Sequence, residues 1–310
     1  MLTPKICLMG PTAAGKTALA LKLTDYFPLD IISVDSAMIY RGMDIGTAKP
    51  SRAILEQIPH RLIDICDPSD AYSVAAFCND AGQAITEIES KQRIPFLVGG
   101  TMMYFHALGQ GITPMPSANA EIRLALTEEG NRLGWPHVHH RLQGLDPVAA
   151  ARIHPQDKQR IQRALEVYLM TGKPLSEFHQ ENKQKPSDLH YVIIAPTDRS
   201  ILHHRIAVRF HEMLEQGWVN EVEKLIDRPD LNSVWPSLRT VGYRQIIDYL
   251  AGNFSYETMC EKGIIATRQI AKRQLTWLRS FNQGQWFEAE TPDLLSKVVR
   301  YLQQVIFIQK

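Results

Sequence analysis

The stretch "CLMGPTAAGKTALAL", Cys7 to Leu21, constrains the fold more than any other part of the chain. Gly10 to Thr17, "GPTAAGKT", matches G-x-x-x-x-G-K-[ST], and it sits between an apolar run that reads as a strand (Lys5 to Met9) and a helical pattern from Lys16 to about Tyr26. In a strand–loop–helix unit, the glycines let successive backbone N–H groups turn inward, and the helix amino terminus places positive potential behind them. Gly10, Pro11, Thr12, Ala13, Ala14 and Gly15 are therefore expected to form a phosphate cradle. Lys16 would reach the phosphate oxygens, and the Thr17 hydroxyl would ligate Mg²⁺. A chance glycine-rich turn is the alternative, and it does not call for both flanking elements.

The rest of the first hundred residues keeps the same alternation. "DIISV" (Asp30 to Val34) and "IPFLV" (Ile94 to Val98) read as buried strands, and Ser73 can cap a helix running to about Ser90. Strands alternating with helices predict an α/β fold, a P-loop NTPase-like parallel sheet flanked by helices. The character changes at "GITPMPSANA", where two prolines mark a boundary. Strand patterns then vanish until "YVIIAP" (Tyr191 to Pro196). Helix starts are expected between them at Asp146-Pro147 and at Pro155, with a stop at Gly172 and a polar hinge at "NKQKPSD". Residues 114–188 thus read as an all-helical insertion domain, and residues 1–113 with 189–310 as the core domain. After "YVIIAP" the chain reads as mostly helical, ending in a long segment from Tyr256 to Phe281.

With 310 residues, about two domains are expected. A hydrophobic content of 45% against 22% charged residues suits a globular protein with a real core. The net charge of +1 excludes no partner, because a near-neutral chain can still gather positive charge on one face. No apolar run is long enough for a membrane span, and with the phosphate motif beginning at Gly10 no secretory signal is expected. Cys7, Cys66, Cys78 and Cys260 form no C-x-x-C pair, so reduced thiols in a cytoplasmic protein are expected.

A P-loop ATPase normally holds its metal with an aspartate at the end of a second strand. Here "IPFLV" runs into "GGTMMY" with no acid in that place, whereas "DIISVD" ends in Asp35. An acid at a strand end can cap a helix, support a metal or act as a general base, and Asp35 alone does not decide among these. It opens a longer block, "DSAMIYRGMDIGTAKP" (Asp35 to Pro50).

The phosphate loop, that block and "GGTMMY" occur in this order with "PHRLID" (Pro59 to Asp64), "QRALEVY" (Gln162 to Tyr168), "TVGYRQ" (Thr240 to Gln245) and "TRQIAKRQLTWLR" (Thr267 to Arg279). This series resembles the tRNA dimethylallyltransferases, also called tRNA isopentenyltransferases, over nearly the whole chain. The resemblance implies that the loop holds the diphosphate of dimethylallyl diphosphate. The prenyl group would move to N6 of the adenosine immediately 3′ of the anticodon. It casts Asp35 as the base for that amine, Lys16 and Thr17-bound Mg²⁺ as stabilisers of the departing diphosphate, and Thr12 and Arg209 as further diphosphate contacts. Thr101 would contact the target nucleotide, with a helix cap as its other possible role. Arg123 and the turn Asp35, Ser36, Ala37 and Met38 would also meet tRNA. Many relatives carry glutamine where this chain has Met38, so a polar contact made there does not transfer.

The basic face is only moderately marked. "RIHPQDKQRIQR" gathers Arg152, Lys158, Arg160 and Arg163 against Asp157. Farther on, Arg239, Arg244, Lys262, Arg268, Lys272, Arg273 and Arg279 face only Asp248, Glu257 and Glu261. Such clusters neutralise phosphates, and equally form ordinary solvated helix faces. By the resemblance, Gln159, Arg160, Ile161, Gln162 and Arg163, then Thr240, Val241, Gly242, Tyr243, Arg244 and Gln245, with Lys272 and Arg273, would contact the anticodon arm. Tyr243 or Trp277 could stack on a base, although core packing suits Trp277 better. The insertion would act as a mobile clamp on the anticodon loop, and a monomer is expected. Three rivals compete: a P-loop kinase of a small molecule or nucleotide, a prenyltransferase acting on free adenine nucleotides, and a non-enzymatic RNA-binding protein. The first leaves the Asp35 block unexplained, the second needs no helical insertion, and the third leaves Lys16 and Asp35 without purpose.

Overall fold

The computed structural model describes residues 3–111, 115–181, 188–231 and 235–307. The chain divides into two compact units: Met1–Gly109 with Ser187–Lys310, and Gln110–Pro186. In the first unit the order is β1 (Lys5–Met9), α1 (Lys16–Leu23), β2 (Leu29–Val34), α2 (Arg52–Gln57), β3 (His60–Arg61), α3 (Val74–Ser90), β4 (Ile94–Gly99) and α4 (Met102–Gln110). The second unit holds α5 (Ala120–Leu133), α6 (Trp135–Leu145), α7 (Pro147–Ala150), α8 (Lys158–Thr171) and α9 (Leu175–Glu181). The chain then returns to the first with β5 (Leu189–Ala195), α10 (Arg199–Glu215), α11 (Trp218–Ile226), α12 (Tyr243–Leu250), α13 (Tyr256–Leu278), β6 (Gln285–Glu288) and α14 (Leu294–Phe307).

The six strands form one parallel sheet in the order β3-β2-β4-β1-β5-β6. Side chains alternate between its faces, as the two-residue period of a strand requires. Ile6 and Leu8 of β1 pack with Leu19, Ala20 and Leu23 of α1 and Val298 and Leu302 of α14. Cys7 and Met9 face the other way, toward Phe77, Ala81 and Ile85 of α3, Phe105 of α4 and Leu278 of α13. Burial on both faces explains why these strands read as continuous apolar runs. A separate core, centred on Trp218 and Tyr243, joins α10 to α13 with residues of the Asp35–Pro50 block such as Ile39, Tyr40 and Met43.

The second unit has its own core of Leu126, Trp135, Val138, Leu142, Ile161 and Leu165. Its helices start where short polar side chains take up unpaired N–H groups. Asn119 accepts from Ile122, Asp146 from Ala149 with proline in the first turn, and Asp157 from Arg160. Gly172 ends α8 in the left-handed conformation at φ 71°.

Several expectations shift. Helix α8 begins at Lys158 under an Asp157 cap, so Pro155 lies in the preceding turn and starts no helix. Helix α1 stops at Leu23, and α13 at Leu278. The run expected to end at Phe281 continues into β6 and α14. Strand β6 pairs only with β5, and β3 is two residues long, so neither carries enough alternation to register in sequence. Helix α14 does carry a pattern, Leu295, Val298, Tyr301 and Leu302, and burying Val298 and Leu302 stabilises the fold by about 1.5–3 kcal/mol each. Residues 112–114 of the proline boundary and 182–187 of the polar hinge lie outside the described residues. Among the described residues no helix is long and apolar enough to cross a membrane.

Candidate active site

Strand register builds the site. Met9 of β1 lies opposite Gly99 of β4, and Gly99 lies opposite Val34 of β2. The three strands end level, so Gly10, Gly100 and Asp35 emerge side by side at the carboxyl edge, where parallel sheets place ligand chemistry. Two strand spacings separate the phosphate loop from Asp35, about 10 Å. That distance admits a small ligand between them.

The loop has the expected cradle geometry. Ala13 and Gly15 are both left-handed, at φ 62° and 86°, which turns successive N–H groups toward one concavity. The Lys16 ammonium folds back over the loop and donates to the carbonyls of Gly10 (3.0 Å) and Pro11 (2.7 Å). Burial, and after it Arg209 on α10, lower its pKa from 10.5 to about 8, with Asp35 opposing the shift. Arg209 is itself depressed by burial, against Asp35 and Glu212. Two desolvated cations therefore stand near one carboxylate, an arrangement that a polyvalent anion would relieve.

Asp35 is half-buried, and its Oδ1 accepts from the amides of Ala37 (2.8 Å) and Met38 (3.2 Å). No hydrogen bond engages Oδ2 among the described residues. The capping and base readings are thus compatible, because one oxygen suffices to anchor the turn. The Thr101 hydroxyl is engaged outside α4. Its Oγ1 accepts from the amide of Ser36 (3.1 Å) and lies 3.4 Å from that residue's hydroxyl, which ties the "GGT" turn to the Asp35 turn. Met38 takes a hydrogen bond through sulfur from buried Ser33, at 4.0 Å.

Lys16, Asp35, Met38, Gly100 and Arg209 line one cavity of about 100 Å³. Its lining includes the polar side chains of Thr12, Lys16, Thr17, Asp35, Arg209 and Gln274 and the apolar side chains of Ala20, Ile31, Val98 and Ile63. The Thr17 hydroxyl and the Asp35 carboxylate share this space, while no group of three or more His, Cys, Asp or Glu able to hold a metal occurs among the described residues. Such a sparse set of protein oxygens suits Mg²⁺, which keeps waters and substrate phosphate oxygens in its shell.

Other expected contacts divide into exposed and interior residues. Ser36, Gln159, Arg160, Arg244, Lys272 and Arg273 are exposed; Ala37, Thr240 and Val241 are half-buried. Four do not fit direct RNA contact. Ile161 is a core residue of the second unit. Tyr243 is fully buried against Trp218 and donates its phenol to Glu221 (2.6 Å), so it cannot stack on a base. Gln245 is buried, its Oε1 accepting from the amide of Gly242 (2.7 Å) at the start of α12. Gly242, at φ 92°, presses on the Trp218 ring so closely that a Cβ would lie 1.9 Å from it. Trp277 packs against the sheet core and meets His106 edge-on, as core packing predicts.

Three residues that the sequence left without a role emerge. Fully buried Glu166 accepts from Arg123 Nε (2.8 Å), Arg163 Nη1 (2.6 Å) and the amide of Asn119 (2.8 Å). Gln162 donates to the Arg123 carbonyl (2.8 Å), so Arg123 and Gln162 tie α8 to α5, while Arg163 bonds within its own helix and to the Pro116 carbonyl (2.9 Å). Glu221 accepts from the amides of Asp44, Ile45 and Gly46 as well as from Tyr243, which fixes the Asp35–Pro50 block onto α11. Gln274 on α13 accepts from the Thr12 amide (2.9 Å) and donates to the Gly100 carbonyl (2.8 Å). Gln274 and Glu166 stand inside the blocks "TRQIAKRQLTWLR" and "QRALEVY", which hinted at them; nothing in the sequence marked Glu221.

Comparison with known proteins agrees with this geometry. A family model described as IPP transferase matches residues 38–281. The chain is 52% identical over 302 residues to the tRNA dimethylallyltransferase of Coxiella burnetii, covering 97% of each chain. It is similar to the solved full-length tRNA isopentenylpyrophosphate transferase of Bacillus halodurans, with 35% identity, a TM-score of 0.72, and coverage of 98% of this chain and 97% of that one. It also resembles a eukaryotic dimethylallyltransferase solved acting on tRNA, with 26% identity, a TM-score of 0.81, and coverage of 99% and 80% respectively.

Proposed function

The chain belongs to the IPP transferase family, and on that premise we propose that it transfers a dimethylallyl group from dimethylallyl diphosphate to N6 of the adenosine immediately 3′ of the anticodon in tRNA, releasing diphosphate. The observation that carries this reading is the pair of desolvated cations, Lys16 and Arg209, set in one cavity with Asp35. That cavity combines cations suited to a leaving diphosphate with a carboxylate suited to accept a proton.

The donor's diphosphate rests in the cradle of Gly10, Pro11, Thr12, Ala13, Ala14 and Gly15, with Lys16 and Arg209 meeting its charge. Thr17 is the residue that would hold Mg²⁺, which supplies further neutralisation of the diphosphate oxygens when bound. As the amine nitrogen attacks the allylic carbon, the carbon–oxygen bond breaks and its electron pair leaves with the diphosphate. The attacking amine becomes acidic only as the new bond forms, and Asp35 Oδ2 then takes its proton. Oδ1, pinned by the Ala37 and Met38 amides, keeps the carboxylate oriented. Thr101 and Ser36 border the place of the target base, which must leave its stack at a cost of a few kcal/mol. Exposed Arg160, Arg244, Lys272 and Arg273, with Gln159, Thr240 and Val241, are the residues we assign to the tRNA, and Arg123 and Arg163 offer it the guanidinium edges that Glu166 leaves open.

A two-donor labelling experiment tests the reading. Unmodified tRNA or adenosine monophosphate is incubated with the protein, Mg²⁺ and either labelled dimethylallyl diphosphate or γ-labelled ATP. Prenyl label is expected in tRNA, with transfer reduced by about 10²–10⁴-fold in Asp35→Ala. Label in the free nucleotide, or phosphoryl transfer from ATP without prenylation, replaces this assignment with one of the rivals.

A further inference from the structure

Gln274 stands at the junction of the two halves of the site. Through its carboxamide it takes the N–H of Thr12, in the phosphate loop, and gives a hydrogen bond to the carbonyl of Gly100. Gly100 is followed by Thr101, whose hydroxyl holds the amide of Ser36, next to Asp35. A continuous path therefore runs from the donor cradle, through one side chain on α13, to the turn that carries the base. We infer that Gln274 is a positioning residue that fixes the separation and orientation of the phosphate loop relative to the Asp35 turn during prenyl transfer; the inference rests on the function proposed above.

The chemistry selects this side chain. A carboxamide is an uncharged group that can accept from one backbone N–H and donate to a neighbouring backbone C=O at the same time. Glutamate would serve the Thr12 amide but set an acceptor against the Gly100 carbonyl, and would add negative charge beside the diphosphate. Methionine has similar length and makes neither bond. The fit is mutual: a Cβ placed on Gly100 would lie 2.6 Å from Gln274 Nε2, so glycine leaves the room that the carboxamide occupies. Alanine at that position pushes mainly on the far end of a long side chain, displacing the carboxamide while the turn stays in place.

Positioning predicts a split in kinetics, because placing reactants contributes to the chemical step more than to ground-state binding. Gln274→Met removes both bonds, and it frees the Thr12 amide to point at the diphosphate. We expect kcat for prenyl transfer to fall about tenfold or more, with the dissociation constant of inorganic diphosphate (measured with Mg²⁺) changed less than about threefold. Gly100→Ala should reproduce this loss, and the double variant should be no worse than either single one, since the two act on one contact. Additive losses, an unchanged kcat in Gln274→Met, or a diphosphate affinity that falls in step with kcat would each overturn the inference. Absence of prenyl transfer by the unsubstituted protein would instead overturn the proposed function, so the two failures are told apart.

Discussion

At the scale of single residues, Lys16 carries a pH dependence whose sign follows from its surroundings. Burial and Arg209 lower its pKa from 10.5 to about 8 in the free protein. Above about pH 8 the amine becomes neutral and loses its attraction for a diphosphate. The kcat/KM for the prenyl donor, which reports the free enzyme, is expected to fall through that pH, and Lys16→Met should remove the step along with most of the activity. A profile flat to pH 10 would contradict it. The same shift acts on folding with the opposite sense: between about pH 8 and 10.5 the unfolded chain binds more protons at this group than the folded one, so its contribution to stability rises with pH there. Lys16, Thr17 and Arg209 were legible in the sequence because motif or resemblance marks them one by one. Gln274 was not, because its meaning lies in a pair of backbone partners, one of them 174 residues away.

Among the elements, Glu221 of α11 shows how a helix organises a segment that has little regular structure of its own. One carboxylate serves the amides of Asp44, Ile45 and Gly46 and the phenol of Tyr243. The "GMDIGTAKP" and "TVGYRQ" stretches lie far apart in the sequence, and the fold joins them through Glu221 and Trp218. Periodicity reports which face of a helix is apolar, but not that a distant loop will turn its N–H groups toward one acid. Hydrogen bonds to a charged acceptor contribute about 1.5–3 kcal/mol, so Glu221→Gln is expected to destabilise the protein by about 2 kcal/mol in urea unfolding. It should also speed hydrogen exchange at Asp44–Gly46. Unaltered exchange there would mean that other contacts hold the block.

Across the whole molecule, the phosphate loop, Asp35, Thr101, Arg209 and Gln274 all belong to the first unit, whereas the second has a core of its own. A calorimetric scan is therefore expected to show two transitions, and inorganic diphosphate with Mg²⁺ should raise only the one belonging to the first unit, by mass action. A single transition that moves as a whole would show that the units melt together. The parallel sheet and the helical insertion were legible from alternation and from its loss between "GITP" and "YVIIAP". The sheet's outer strands, β3 and β6, were not, because each is short and pairs on one side only.

Strand β1 lies between β4 and β5, but those neighbours are made at very different times. During synthesis β4 emerges after α1, β2, α2, β3 and α3, while β5 follows only once the whole of Gln110–Pro186 has been added as well. At 5–20 residues per second that interval lasts on the order of ten seconds, during which one edge of β1, apolar on both faces, has no native partner. An open strand edge invites pairing with other chains. The nascent polypeptide thus has a window of vulnerability on the ribosome, and early folding of the helical insertion, whose contacts are local, shortens the reach that β5 must then cover to close the sheet.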